Sequence, residues 1–423
     1  MQRPVTISLS PNTELDDIRQ AHRVLWHPAS WKDTSIFSEI TSALSSHLGG
    51  RMIALTSSAR QALYDGLRAA GIGKGDEVIV QAFTCIAVPE PILWLSATPV
   101  YADIIPDTYN IDPASVRERI TEKTKAIIIQ HTFGIPGPIE ELRAIAREHN
   151  LLLIEDCAHA LGGTYHNQAL GTFGDMAILS FGRDKTLSSV FGGAVVSANQ
   201  TLIRRIQQYA QERSYPPHRW VFQQLMHPVL LHLLLPLYFT GGIGKAALVL
   251  AQKLGILSKA VAVEERQGRR PGHFRYRFSP ALGHLLHMQI HKLQRFTKAR
   301  QDLVRVYLDE LRDVVTLPTI PANCEPAWLR FPILSKDPRK LRDEALGQEM
   351  MLGDWYDAPL VPSTCSLEAF KYTAGSCPNA EDVARRVVNL PTYPLLTDKQ
   401  ATQVVELVKH TEGSSLESWN FEK

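Results

Sequence analysis

LLLIEDCAHA at residues 151–160 and MAILSFGRDKTLSSVFGGAVVS at 176–197 carry the reading that decides the fold. Each opens on four consecutive apolar residues, LLLI and MAIL. A short apolar run of this kind reads as a strand buried on both faces of a mainly parallel sheet. Each then gives way to polar residues: Glu155-Asp156 in the first, Ser180 and Arg183-Asp184-Lys185 in the second. Five further runs have the same character: MIALTS (52–57), EVIVQAF (77–83), TPVYADI (98–104), KAIIIQHT (125–132) and GGAVVS (192–197). Helix-like stretches such as ARQALYDGLRAAG and IEELRAIAREHN lie between them. Strands alternating with helices predict an α/β domain with a seven-stranded, mainly parallel sheet. Sheets of that type place their chemistry beyond the carboxyl ends of the strands, so the residues after each apolar run are the ones to read.

The chain has 423 residues, 44% of them hydrophobic, enough for two lobes. Its 45 basic and 43 acidic side chains leave a formal charge of +2, which gives no long-range attraction to nucleic acid. The five cysteines form no CxxC pair, and their number is odd. That suits a reducing compartment better than a disulfide framework or a structural zinc site. The opening MQRPVTISLSPNTELDD has no apolar signal-peptide core, and a cytoplasmic location is expected.

The predicted organisation is an N-terminal segment (1–50), a large α/β domain (51–214), a hydrophobic helical insertion (215–262) and a smaller C-terminal α+β domain (263–423). In the last, residues 280–313 read as one long amphipathic helix, AWLRFPIL (327–334) as a strand and KQATQVVELVKH (399–410) as a closing helix. The insertion contains PVLLHLLLPLYFTGGIGKAALVLAQKLGIL (228–257), interrupted by Pro236 and Gly241-Gly242. Each half is shorter than the roughly 20 residues a spanning helix needs. Two readings fit: buried helices or a subunit contact, and a helical hairpin lying on a membrane.

An acid at the end of a buried strand is costly unless it has a partner. One partner for Asp156 is the protonated ring nitrogen of pyridoxal phosphate. A helix N-cap, or the acid of a Rossmann or phosphatase site, is the alternative. Lys185 lies 29 residues further on, after a neighbouring strand. A partly desolvated amine there can attack an aldehyde, whereas the plain alternative is a solvated loop lysine. Ser180 is placed to donate to a phosphate oxygen. LTSSARQALYDGL puts Ser57, Ser58, Ala59 and Arg60 at a helix N-terminus, an anion site by its free amides and dipole, or simply an ordinary cap. Arg60 adds a charge-assisted contact to that anion. Gly192-Gly193 permits a tight turn or a close backbone approach. GIGKG (71–75) follows a helix and precedes a strand, the reverse of a dinucleotide fingerprint. His284, His287 and His291 share a helix face; a packed or solvated stripe is the expectation, and no metal site is named.

In order and spacing, a series of segments resembles the DegT/DnrJ-type sugar aminotransferases, fold-type-I pyridoxal-phosphate enzymes of the aspartate-aminotransferase-like class. They are GIGKGDEVIV, AFTCIAVPEPI, ATPVYADI, PASVRERITEKTKAIIIQH, FGIPGPIEEL, LIEDCAHALGGTY, LGTFGD and AILSFGRDK. FRYRFSPALGHLLHMQIHKL and SCPNAEDVARRVVNLPTYPLLT extend the resemblance more weakly. It implies that Lys185 binds the cofactor and shuttles a proton, Asp156 pairs with the pyridine nitrogen, His159 sits beside the ring, and Ser180 binds phosphate. It implies a homodimer, with glutamate as donor and a keto sugar, nucleotide-linked, as acceptor for glycan assembly. Ala59-Arg60 stands where the family has Gly-Thr. Cys85 stands where it often has a stacking aromatic, which leaves Phe83 or His131 to compensate. Arg275 of RYR (275–277) replaces an asparagine that reaches a neighbouring subunit's site. The family's sugar dehydratases have His at the lysine position, so Lys185 disfavours elimination. A non-enzymatic scaffold that uses the insertion is the remaining alternative.

Overall fold

All seven apolar runs form strands, and all seven join one sheet. The computed structural model describes residues 4–258 and 264–417. The end of the expected 215–262 insertion lies outside the described residues. The strands are β1 (Met52–Thr56), β2 (Glu77–Gln81), β3 (Thr98–Ala102), β4 (Thr124–Gln130), β5 (Leu152–Asp156), β6 (Met176–Ser180) and β7 (Gly193–Ser197). Their order across the sheet is β1-β7-β6-β5-β4-β2-β3. Only β7 runs antiparallel to its neighbours, β6 and β1. The other pairings are parallel.

The unbroken apolar runs are explained by what covers each face. Val78, Val80, Ile128 and Ile154 point into one core, and Ile79, Ile127, Ile129 and Leu153 into the other. Successive strand side chains alternate between faces, so a strand covered on both sides has no polar positions to spare. Each such fully buried side chain contributes about 1.5–3 kcal/mol.

The first core runs on into the C-terminal lobe. There β8 (Phe331–Leu334) and β9 (Val387–Leu390) pair antiparallel beside the helices Pro338–Gly347, Pro378–Arg386 and Asp398–Glu417. The second core includes the N-terminal helices α1 (Leu15–Trp26) and α2 (Ile36–His47). The N-terminal segment is therefore packed into the body. Its Val5–Thr6 also pairs with Met350–Met351 of the C-terminal lobe.

The stretch 280–313 is two helices, Pro280–Ile290 and Leu293–Leu311, rather than the single one expected. The first packs against α2 in the second core. The break falls beside Lys292, whose ammonium lies 3.0, 2.5 and 2.9 Å from Glu14, Asp16 and Asp17 of the N-terminal arm. Amphipathic spacing continues through the break, so periodicity alone cannot report it. His287 lies 3.4 Å from both Glu39 and His291, a polar stripe at the helix surface.

Candidate active site

Strand alternation separates the two acids at the end of β5. The Glu155 carboxylate turns inward and accepts from the amides of Gly171 (2.8 Å), Phe173 (2.7 Å) and Gly174 (2.7 Å). His131 Nε2 lies 3.1 Å from it. Burial works to raise its pKa, but the hydrogen bonds and His131 outweigh that, and the carboxyl is held below the ordinary glutamate range. Glu155 is therefore a fastener for the loop after β5. Asp156, one residue on, faces a cavity of about 220 Å³. One of its oxygens accepts from the Ala158 amide at 2.9 Å. Burial pushes its pKa up, opposed by that amide, Lys185 and His131. A half-buried carboxylate with one protein hydrogen bond and room before it suits a cationic partner.

Lys185 reaches the same cavity from the loop after β6. Among the described residues it is the one lysine in the lining. Burial pushes its pKa down to about 8, against the pull of Cys85 and Asp156, with Arg330 adding to the fall. Its Nζ lies 4.9 Å from the centre of the Trp355 ring. The loop is held from an unexpected direction. Asn12 Nδ2 donates to the carbonyls of Lys185 (2.6 Å) and Thr186 (3.0 Å), and Asn12 Oδ1 accepts from the buried Arg300 at 2.6 Å. Neither Asn12 nor Arg300 carries a local signal of this role.

The opposite end of the cavity is built at the helix α3 (Ala59–Ala69). Ser58 caps it, accepting from the Gln61 amide at 3.1 Å. Strand β7 passes so close beneath this terminus that a Cβ on Gly193 would fall 2.4 Å from Ala59 N. That close approach is what the glycine pair provides. Ser58, Ala59, Arg60 and Ser180 all line the cavity. The Arg60 guanidinium, however, is turned to two buried carboxylates, Glu90 at 2.8 Å and Glu265 at 2.9 Å. The expectation of an arginine devoted to an anion at the helix terminus needs that correction. Burial pushes Glu90 up to about 8, with Glu265 adding to the rise and Arg60 opposing it.

Cys85 lines the cavity, but neither Phe83 nor His131 does. Phe83 packs among Tyr109, Phe133 and Tyr356, and His131 is engaged with Glu155 and the Gly137 amide. The aromatic walls are instead Trp355 and Tyr356 from the C-terminal lobe, with Phe191 beside Gly192. Leu360–Val361, just beyond them, pairs with Thr84–Cys85 and docks that loop over the site. His159 stacks on Trp355 with centroids 5.5 Å apart. Its Nδ1 accepts from the Phe133 amide at 3.2 Å, which leaves Nε2 to carry the proton. Burial, with Lys185 and Arg330 nearby, holds this ring neutral, its pKa well below the ordinary histidine value. Arg275 is exposed and does not line the cavity of its own chain. The doublet Trp355-Tyr356 was missed because one aromatic pair in a loop 170 residues past Lys185 has no periodic or motif signal.

The sequence profile of the DegT/DnrJ/EryC1/StrS aminotransferase family matches residues 16–222 and 249–409. The chain belongs to this family. A UDP-N-acetyl-3-dehydro-alpha-D-glucosamine 3-aminotransferase from Acidithiobacillus ferrooxidans is 28% identical over 357 residues, 84% of this chain and 82% of that protein. GDP-perosamine synthase from Vibrio cholerae is 26% identical over 353 residues, 82% and 83% of the two chains. The fold matches a putative sugar aminotransferase of Streptococcus pneumoniae in its PMP form, with a TM-score of 0.77, 20% identity and coverage of 99% and 100%. The DegT/DnrJ/EryC1/StrS protein described here is thus a pyridoxal-phosphate-dependent aminotransferase of fold type I, at low identity to these relatives. Its cavity has what that cofactor asks for: a half-buried acid, an amine of depressed pKa and a helix terminus with backbone amides.

Proposed function

We propose that this aminotransferase moves an amino group from an amino acid, glutamate in the first instance, to a keto carbon of a nucleotide-linked sugar for polysaccharide or glycan assembly. The observation that carries the reading is that Lys185 and Asp156 share one cavity with the N-terminus of α3. The names of two relatives, a UDP-sugar aminotransferase and a GDP-perosamine synthase, support the acceptor class.

When bound, pyridoxal phosphate supplies an aldehyde and an electron-withdrawing ring. Lys185 supplies the amine that binds the aldehyde, and afterwards takes and returns the substrate proton. Asp156 would hold a proton on the ring nitrogen. His159 would offer Nε2–H to a ring oxygen. Ser58, the amides of Ala59 and Arg60, and Ser180 receive the phosphate. Cys85 would lie beside the ring, with Trp355 and Tyr356 providing larger walls of the cavity. A homodimer belongs to the same proposal, with Arg275 of each chain reaching toward the other's site.

With a pKa near 8, about a tenth of the folded molecules carry the neutral amine at pH 7, a far larger share than at the ordinary lysine value of 10.5. The rate of covalent loading of the apoprotein should therefore climb to about pH 8 and then level, as read by stopped-flow absorbance. A climb that continues past pH 10 means the lysine is not desolvated. The apoprotein should also gain stability between about pH 8 and 10.5, where an unfolded lysine binds a proton that the folded one has released.

The transfer itself is tested in half-reactions. Glutamate should convert the loaded enzyme to its amine form, and a UDP- or GDP-linked keto sugar should reverse the spectral change. An enzyme that stays in its aldehyde form with glutamate and other common amino acids argues for elimination chemistry.

A further inference from the structure

The family profile passes over residues 223–248. These residues make most of a helical hairpin, His218–Leu234 and Ile243–Lys253, with a small core of its own around Leu231, Leu235, Leu248, Ala251 and Leu257. The inner side is tied to the body. His227 Nε2 lies 3.0 Å from Ser10 Oγ, and Gln224 Oε1 accepts from Arg183 of the loop after β6 at 3.4 Å. The outer side is apolar and open. Phe222 and Leu233 are 42% and 59% exposed on the first helix, and Ile243, Leu250 and Leu254 are 60%, 55% and 61% exposed along the second. Phe222 and Leu233 lie on one stripe by helical spacing, as do Ile243, Leu250 and Leu254. Buried helices do not account for this face, which leaves a subunit contact or a membrane surface.

Charge narrows the possible occupant. Between Glu212 and Glu264 the chain contains no acidic residue. Arg219, Lys245 and Lys253 are exposed on the hairpin. In a twofold contact a patch meets itself, so a cationic, carboxylate-free face would oppose like charge. An anionic lipid surface meets both features at once: headgroups attract the lysines and arginine, and the acyl boundary receives the apolar stripes. His218–Leu237 has the length and hydropathy of a membrane-spanning helix, but its buried Gln224 and His227 are bonded to Arg183 and Ser10 of the body, so the hairpin lies on the surface.

We propose that the hairpin 218–258 docks the enzyme peripherally on an anionic membrane surface. The holoenzyme is floated with vesicles of phosphatidylcholine alone, and with vesicles that also contain phosphatidylglycerol. It should rise with the anionic vesicles, less so as salt is raised. Leu233→Ser combined with Leu250→Ser and Leu254→Ser should leave it at the bottom. Lys245→Glu with Lys253→Glu should weaken partitioning by at least about tenfold, since each surface cation is worth about fivefold. Turnover with soluble substrates should be unchanged in both variants, which separates this proposal from the assignment of the active site. Wild-type protein that stays at the bottom with both vesicle types overturns it. So does a serine variant that floats as well as the wild type. A serine variant whose sedimentation shows a smaller oligomer assigns the face to a second copy instead.

Discussion

Lys185→Ala is expected to fold, to bind pyridoxal phosphate without a covalent link, and to lose essentially all transamination. Borohydride should fix the cofactor to the wild-type chain at Lys185 and leave the variant unlabelled. Loss of the proton shuttle alone costs about 10²–10⁴-fold in turnover, and loss of the attacking amine adds to that. Folding should not suffer. The side chain is a half-buried amine whose charged form is disfavoured by desolvation, with its pKa pushed down to about 8, so its removal relieves that cost. No other lysine among the described residues lines the cavity to substitute for it. A variant that still carries reducible, chain-bound cofactor sinks the assignment of Lys185. A variant that merely unfolds would show that the loop pinned by Asn12 has some structural need of the lysine.

Arg60→Met is expected to cost stability more than it costs phosphate affinity. The guanidinium sits between Glu90 and Glu265, which are 0% and 1% exposed, and removing it takes a buried cationic partner from each. Above about pH 8, where Glu90 is ionised, breaking the buried pair from one side should destabilise by about 3–5 kcal/mol, because the remaining charge is left uncompensated. Adding Glu90→Gln and Glu265→Gln to Arg60→Met should recover much of that loss, since neutral amides need no counter-charge. The pH dependence has a sign. Glu90 keeps its proton in the fold up to about pH 8, against 4.5 for an ordinary glutamate. The stabilisation this gives is complete at low pH and fades as pH rises through that window. The Arg60→Met defect should therefore be smallest near pH 4.5 and deepest above pH 8, as read from urea midpoints. If urea midpoints stay level while cofactor affinity drops, the guanidinium serves the phosphate after all, as the residue type at a helix N-terminus had suggested.

The site was legible wherever chemistry and local order coincide. Asp156, His159, Ser180, Lys185, Ser58, Ala59, Arg60 and Cys85 stand just after the ends of strands or at the start of a helix, and the structure gathers all of them at one cavity. A parallel sheet aligns its carboxyl ends, so residues far apart in sequence meet without any signal beyond their place after an apolar run. Trp355 and Tyr356 escape that logic because the C-terminal lobe delivers them through the pairing of Leu360–Val361 with Thr84–Cys85. Arg60 was misread in role, though not in place, because its partners come from 30 and more than 200 residues away.

By itself, then, the order of apolar runs and polar ends determined the seven strands, their burial on both faces and the edge of the sheet that carries the candidate site. These are local properties: a strand's periodicity and the residue that follows it are written within ten positions. Only the tertiary structure decided that Glu155 is a fastener while Asp156 faces the cavity, and that Asn12 and Arg300 hold the lysine loop. It likewise decided that Arg60 answers to two glutamates, and that the apolar hairpin turns one face outward. Each of these depends on which buried polar group finds which partner, and burial makes every such pairing obligatory while leaving its distance along the chain free.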